Sequence, residues 1–189
     1  MPPVEPLLHG ILFDSSGFSK TAFYINVFVM PLFVPSQHLT LSYGNRLDSP
    51  TKPYGWDSRR PNLIRDLRDT IRSEAMPFLT AMRAPGGFIN YLRNHRVEDI
   101  RSLEALGYAL ARSGLVKESI QALSKIEGHV DMSISWQADV LFQTTEFRKK
   151  ISADPNSAEE ILRNIECETR KHLKLPDISI ERHTCSTPS

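Results

Sequence analysis

Phe23-Tyr24-Ile25-Asn26-Val27-Phe28-Val29-Met30 is the most apolar run of the chain and is dense in β-branched and aromatic residues, the composition of a central strand. Successive strand side chains point to opposite faces. Phe23, Ile25, Val27 and Val29 therefore make one wholly apolar face, and Tyr24, Asn26, Phe28 and Met30 make another that only Asn26 interrupts. Helices are expected over at least one of these faces.

Upstream, Leu7–Phe13 is a short apolar run followed by the turn-forming cluster Asp14-Ser15-Ser16-Gly17, which predicts a hairpin with a long loop. Downstream, Pro31 and Pro35 bracket Leu32-Phe33-Val34 and should end regular pairing, because proline supplies no ladder donor. His38–Tyr43 alternates at period two and reads as a third strand before a Gly44-Asn45 turn. Residues 1–47 are thus expected to form an antiparallel three-stranded meander. Asp177–Glu181 also alternates and is the candidate for a fourth, returning edge strand within a tail spanning 176–189.

Residues 48–61 hold prolines, Tyr54 and Trp56 without periodicity and read as a connecting loop. Residues 62–175 read as helical and packed on the sheet. Ile64, Leu67, Ile71, Ala75 and Phe78 recur at helical spacing after Asn62, Pro77 should kink or restart that helix, and Arg65 and Asp69 form an i,i+4 pair. Pro85-Gly86-Gly87 breaks the chain before a short helix through Phe88, Ile89 and Leu92. Ile134 to Ile151 carries one further apolar stripe with Arg148-Lys149-Lys150 at its C-terminal end, and Asp154-Pro155 opens a last helix that Leu175-Pro176 closes. The fold class is α+β, most simply one compact domain.

The 189 residues are 40% hydrophobic and 24% charged, enough for a sizeable core, and 23 basic against 22 acidic residues leave a net charge of +1. No global field draws the chain to nucleic acid or to an anionic membrane. The longest apolar stretch, Phe23–Val34, is broken by Asn26 and Pro31 and falls short of the roughly 20 residues a membrane helix needs. The opening Met1–Pro6 has neither the basic nor the apolar region of a secretory signal, so a cytoplasmic location is expected.

Leu103, Leu106, Gly107 and Leu110, then Gly114, Val116, Ser119, Leu123 and Ile126, resemble one tetratricopeptide helical hairpin over residues 98–127. The resemblance implies two antiparallel helices brought close at small residues and a protein-binding role. It departs from the family at Leu103, Leu110, Ser119 and Asp131, where Trp, Tyr, Ala and Pro are preferred, and no second copy at a period of about 34 residues is visible. Residues 8–82, with Phe13-Asp14-Ser15-Ser16-Gly17-Phe18, Phe23-Tyr24 and Pro31-Leu32-Phe33-Val34-Pro35, resemble uncharacterised bacterial proteins grouped as domains of unknown function. That likeness implies an α+β body and transfers no catalytic residue.

Catalytic candidates are sparse. His9 and His38 on adjacent strands with Asp14 nearby would suffice for proton transfer, although a strand histidine is more often structural. Cys167, His172, His183 and Cys185 are the residue types of a zinc site, but gaps of four, ten and one are not its usual ligand spacing, so neither a metal nor a disulfide is assigned. There is no Gly-x-Ser-x-Gly, phosphate loop or His-Glu-x-x-His, and no cofactor is expected. Tyr54, Trp56, Arg59 and Arg60, with Arg65, Arg68 and Arg72, offer stacking faces and cations for nucleic acid, but interleaved Asp57, Asp66, Asp69 and Glu74 make a solvated face the simpler reading. The expected function is non-catalytic binding of another protein, the alternative an enzyme of unrecognised type with its site between sheet and helices. The sequence leaves the oligomeric state open.

Overall fold

The computed structural model describes residues 6–17, 19–50, 55–95 and 99–176. It is an α+β fold with an antiparallel N-terminal sheet followed by helices. The chain divides into two compact units, one formed by Leu7–Met30 with Leu39–Ala84, the other containing Pro31–His38 and the chain from Pro85 onward.

In the sheet unit, β1 (Leu7–Ser15), β2 (Ala22–Pro31), β3 (Tyr43–Arg46) and β4 (Trp56–Asp57) form one sheet. β2 is central, with β1 on one side, β3 antiparallel along Asn26–Val29 and β4 antiparallel along Ala22–Phe23. The wholly apolar face of β2 is the one the helices cover. Ile25 and Val27 are buried there with Leu47, Trp56 and Ala75, and Ile11, Leu63, Leu67, Ile71, Phe78 and Leu79 pack around them. Phe28 and Met30 on the opposite face are buried too.

The third strand is not His38–Tyr43 but Tyr43–Arg46, and Gly44, expected in a turn, pairs with Phe28. A Cβ at Gly44 would lie 2.0 Å from the Val27 carbonyl oxygen, so this close approach admits only glycine. Leu39 and Leu41, whose alternation suggested the strand, are exposed. The fourth strand of the described sheet is β4, inside the stretch read as loop. Asp177–Glu181 lies outside the described residues.

Three helical segments run without a break from 63 to 83: α1 (Leu63–Thr70), a π-helical turn (Ile71–Ala75) and α2 (Met76–Arg83). The wide turn answers Pro77, which has no donor and crowds the carbonyl four residues back; Met76 N–H reaches the Ile71 carbonyl instead. The expected Arg65–Asp69 pair gives way to shorter-range partners, with Arg65 3.8 Å from Asp66 and Arg68 3.1 Å from Asp69.

The helical unit contains α3 (Gly87–His95), α4 (Ile100–Arg112), α5 (Val116–Ser124) with a 3-10 turn (Lys125–Gly128), α6 (Ser135–Ala153) and α7 (Ser157–His172). α4 is its axis, buried along most of its length and packed by α3, α5, α6 and α7. Asp99 caps it: Oδ1 accepts from Ser102 N–H at 2.9 Å and Oδ2 from the Ser102 hydroxyl at 2.8 Å. Gly114 ends it at φ +77°, with Leu115 N–H on the Leu110 carbonyl and Gly114 N–H on the Ala111 carbonyl, the two bonds of a Schellman motif. α4 and α5 close upon each other at Gly107, where a Cβ would fall 2.4 Å from Leu123 Cγ. The second helical pair starts at Ser135, 35 positions after Ile100, yet α4 also packs against α7, the contact of a bundle rather than of an open array.

The segment between the two prolines belongs to this unit. Leu32, Phe33 and Val34 are buried, Phe33 meets Phe88 edge-on at 6.5 Å, and the Thr169 hydroxyl donates to the Val34 carbonyl at 3.4 Å. α7 begins two residues later than Asp154-Pro155 suggested: the Asp154 carbonyl accepts from Ser157 N–H at 3.1 Å, so this pair forms the turn before the helix. Among the described residues no helix is long and apolar enough to cross a membrane.

Candidate functional site

His9 and Asp14, chosen from the sequence, are not gathered within the sheet. His9 and Asp14 both lie on β1, but five positions apart on an extended strand means about 16 Å and opposite faces. His38 is exposed, lies outside the strands and belongs to the helical unit, so it is not on a strand of the sheet. His9 is partly buried, its Nδ1 has no hydrogen-bond partner, and burial, with a smaller contribution from the Arg83 charge, holds its pKa below the ordinary value.

The aromatic and basic candidates are occupied by the fold. Trp56 is 1% exposed and its indole N–H donates to the Leu47 carbonyl at 2.9 Å, so its ring is core and offers no stacking face. Arg59 forks onto Asp57 with contacts of 3.2 and 3.1 Å; Arg60 bonds Ser49 at 2.5 Å and Asp66 at 2.9 Å. Tyr54 lies outside the described residues, as do His183 and Cys185. Cys167 is disulfide-bonded, where the sequence assigned no disulfide, and His172 is exposed at the end of α7. Two cysteines make no recognisable framework by spacing alone, so this bond left no sequence signal.

A different group of residues comes together where α4 meets α6. Arg101, Glu104 and Tyr108 follow at spacings of three and four, which places them on one face of α4. Glu104 is 1% exposed; its Oε2 takes Arg101 Nη1 at 2.8 Å, and its Oε1 is buried without a hydrogen-bond partner. The Arg101 guanidinium lies over the Trp136 ring of α6 at 4.8 Å, and Tyr108 stacks on Phe147 of the same helix at 4.5 Å and 6°. Burial raises the pKa of Glu104, outweighing the opposing pull of Arg101; burial and then the Glu104 charge raise that of Tyr108.

The loop that leads into Trp136 carries exposed apolar side chains. Met132, Ile134 and Trp136 are 66, 37 and 42% exposed. Their loop is fixed: Asp131 Oδ1 accepts from Ser133 N–H at 2.9 Å and from its hydroxyl at 2.7 Å, while Asp131 N–H donates to Gln137 Oε1 at 2.7 Å. Those bonds hold the Asp131 carboxyl below its usual pKa. Glu104, Tyr108, Arg101 and Met132 were not picked from the sequence. The available signal was a glutamate embedded among Leu103, Ala105 and Leu106, a charge in a stripe that burial would otherwise keep apolar.

The chain matches no protein-family model, no curated protein and no solved structure.

Proposed function

We propose that this chain is a non-catalytic protein-interaction module whose contact surface is Met132, Ile134 and Trp136. The supporting observation is that three large apolar side chains, spread over five residues, stand exposed on a loop and helix start whose geometry is already fixed by Asp131 and Arg101. Single exposed apolar residues are ordinary, but a held aromatic and aliphatic cluster has the make-up of a binding hot spot and loses little entropy on docking. The enzyme reading has less behind it, since Glu104 and Tyr108 lie within helix packing and His9 and Asp14 stand far apart on one strand. Nucleic-acid binding is weakened by the carboxylate partners of Arg59, Arg60 and Arg68.

The test is the mass in solution of the chain isolated from its host. The expected result is a discrete complex heavier than the 21.5 kDa chain that Met132→Ser/Trp136→Ser reduces to that mass. A complex unaffected by the double variant would overturn this choice of surface. Disulfides are rare in a reducing cytoplasm, so the disulfide of Cys167 weighs against cytoplasmic residence. Alkylation of the isolated protein before reduction should leave Cys167 unmodified; modification would restore the cytoplasmic reading.

A further inference from the structure

We infer that the buried Glu104 carboxyl governs the pose of Trp136 through Arg101, so that a proton taken up at Glu104 releases the aromatic anchor of the proposed surface. This deepens the binding reading and rests on it for its purpose, though not for its test. The three groups form a chain of contacts from the interior to the exterior. Glu104 Oε2 fixes one arm of the Arg101 guanidinium at 2.8 Å, and the plane so fixed lies over the half-exposed Trp136 ring at 4.8 Å. Arg101 is itself 45% exposed, and loss of charge at Glu104 weakens the charge-assisted bond that orients this arm of its guanidinium.

Glu104 is poised for this because its second oxygen is buried without a partner: the ionised form gives up hydration there and gains nothing, whereas the protonated form gives up less. Among the described residues, the ionisable groups that meet it, Arg101 and Tyr108, both come from α4. From the neighbouring helices, α6 presents Trp136 to Arg101 and Phe147 to Tyr108, and α5 presents Leu123 to Gly107. Arg93 of α3 pairs with Glu118 of α5, and Glu166 of α7 pairs with Arg170 of its own helix and with Arg112, two turns along α4 from Glu104. Burial keeps the carboxyl of Glu104 titrating above the ordinary glutamate range, which places the release at milder acidity than surface carboxylates would give.

The chain has two tryptophans, Trp56 and Trp136, so 5-fluorotryptophan labelling gives two fluorine resonances that Trp136→Phe assigns. The expected result is that the Trp136 resonance titrates with an apparent pKa above about 4.3, the ordinary glutamate value, while Trp56 stays still, and that Glu104→Gln abolishes the titration. Arg101→Met, which keeps the carboxyl and removes the relay, should also leave the Trp136 resonance flat. A Trp136 resonance that does not move in the wild type, or that titrates unchanged in either variant, overturns the inference. Both outcomes are independent of whether a partner binds.

Discussion

Gly107 shows how one missing side chain sets a helix pair. A Cβ there would lie 2.3 Å from Leu123 Cδ2 and 2.4 Å from Cγ, so any side chain must push Leu123 or the helix itself. Gly107→Leu should cost roughly 1 to 3 kcal/mol by overpacking, Gly107→Ala less, and Leu123→Ala should reduce the cost of Gly107→Ala, a coupling that denaturant midpoints of the four proteins in the cycle would read. Gly114 differs: nothing stands near it, and its φ of +77° alone makes Gly114→Ala unfavourable by about 1 kcal/mol. A stabilised Gly114→Ala would disprove that end to α4. Both glycines were legible in the sequence because a glycine inside a helical pattern and another just after it each need a reason. Glu104 was not singled out, since its place among Leu103, Ala105 and Leu106 was the one signal of its burial and a glutamate in a helix is ordinarily on the surface.

The titration of Glu104 carries its own sign. Its native pKa lies above the unfolded value, so between the two the folded state holds more protons and stability falls as pH rises through that window. The stability gap between Glu104→Gln and wild type should therefore move in favour of the glutamine variant as pH rises above about 4.3. A gap constant across that range would place the carboxyl in water.

Among elements, β2 was readable because its apolar residues are buried on both faces, whereas β3 was not. Its Gly44-Asn45 has turn composition, and only the 2.0 Å approach to the Val27 carbonyl explains why a glycine belongs in the ladder. The alternation of Leu39 and Leu41 misled because period-two hydrophobicity marks a strand only when one face is buried, and both residues are exposed. Trp56 was visible as an aromatic in a proline-rich stretch, but whether such a ring is core or platform depends on what pairs with it, here Phe23 across the ladder and the Leu47 carbonyl. α4 rests on its cap: Asp99→Ala removes acceptors for Ser102 N–H and the Ser102 hydroxyl and should cost about 1 kcal/mol in an unfolding titration. A neutral Asp99→Ala would mean that the helix start is held by other contacts.

At the level of the whole molecule, the α+β class followed from strand composition early in the chain and helical periodicity later, and the described structure has that order. The division into two units did not follow, because it cuts across chain order: Pro31–His38 leaves the sheet unit and joins the helices through Phe33 and Val34. Val27→Asp would set an unpaired carboxylate against Ile25, Leu47 and Trp56 and should unfold the sheet unit or lower its melting temperature severely. The binding account makes its sharpest demand on the helical unit. A photo-crosslinking amino acid placed at Met132, with a second protein labelled at Glu159 as control, asks which surface another protein touches. Both positions are exposed. The account predicts a discrete crosslinked species in host extract from position 132 that Trp136→Ala suppresses, with no such species from position 159. Crosslinks of equal yield from both positions, or a species from 132 that survives Trp136→Ala, would contradict it.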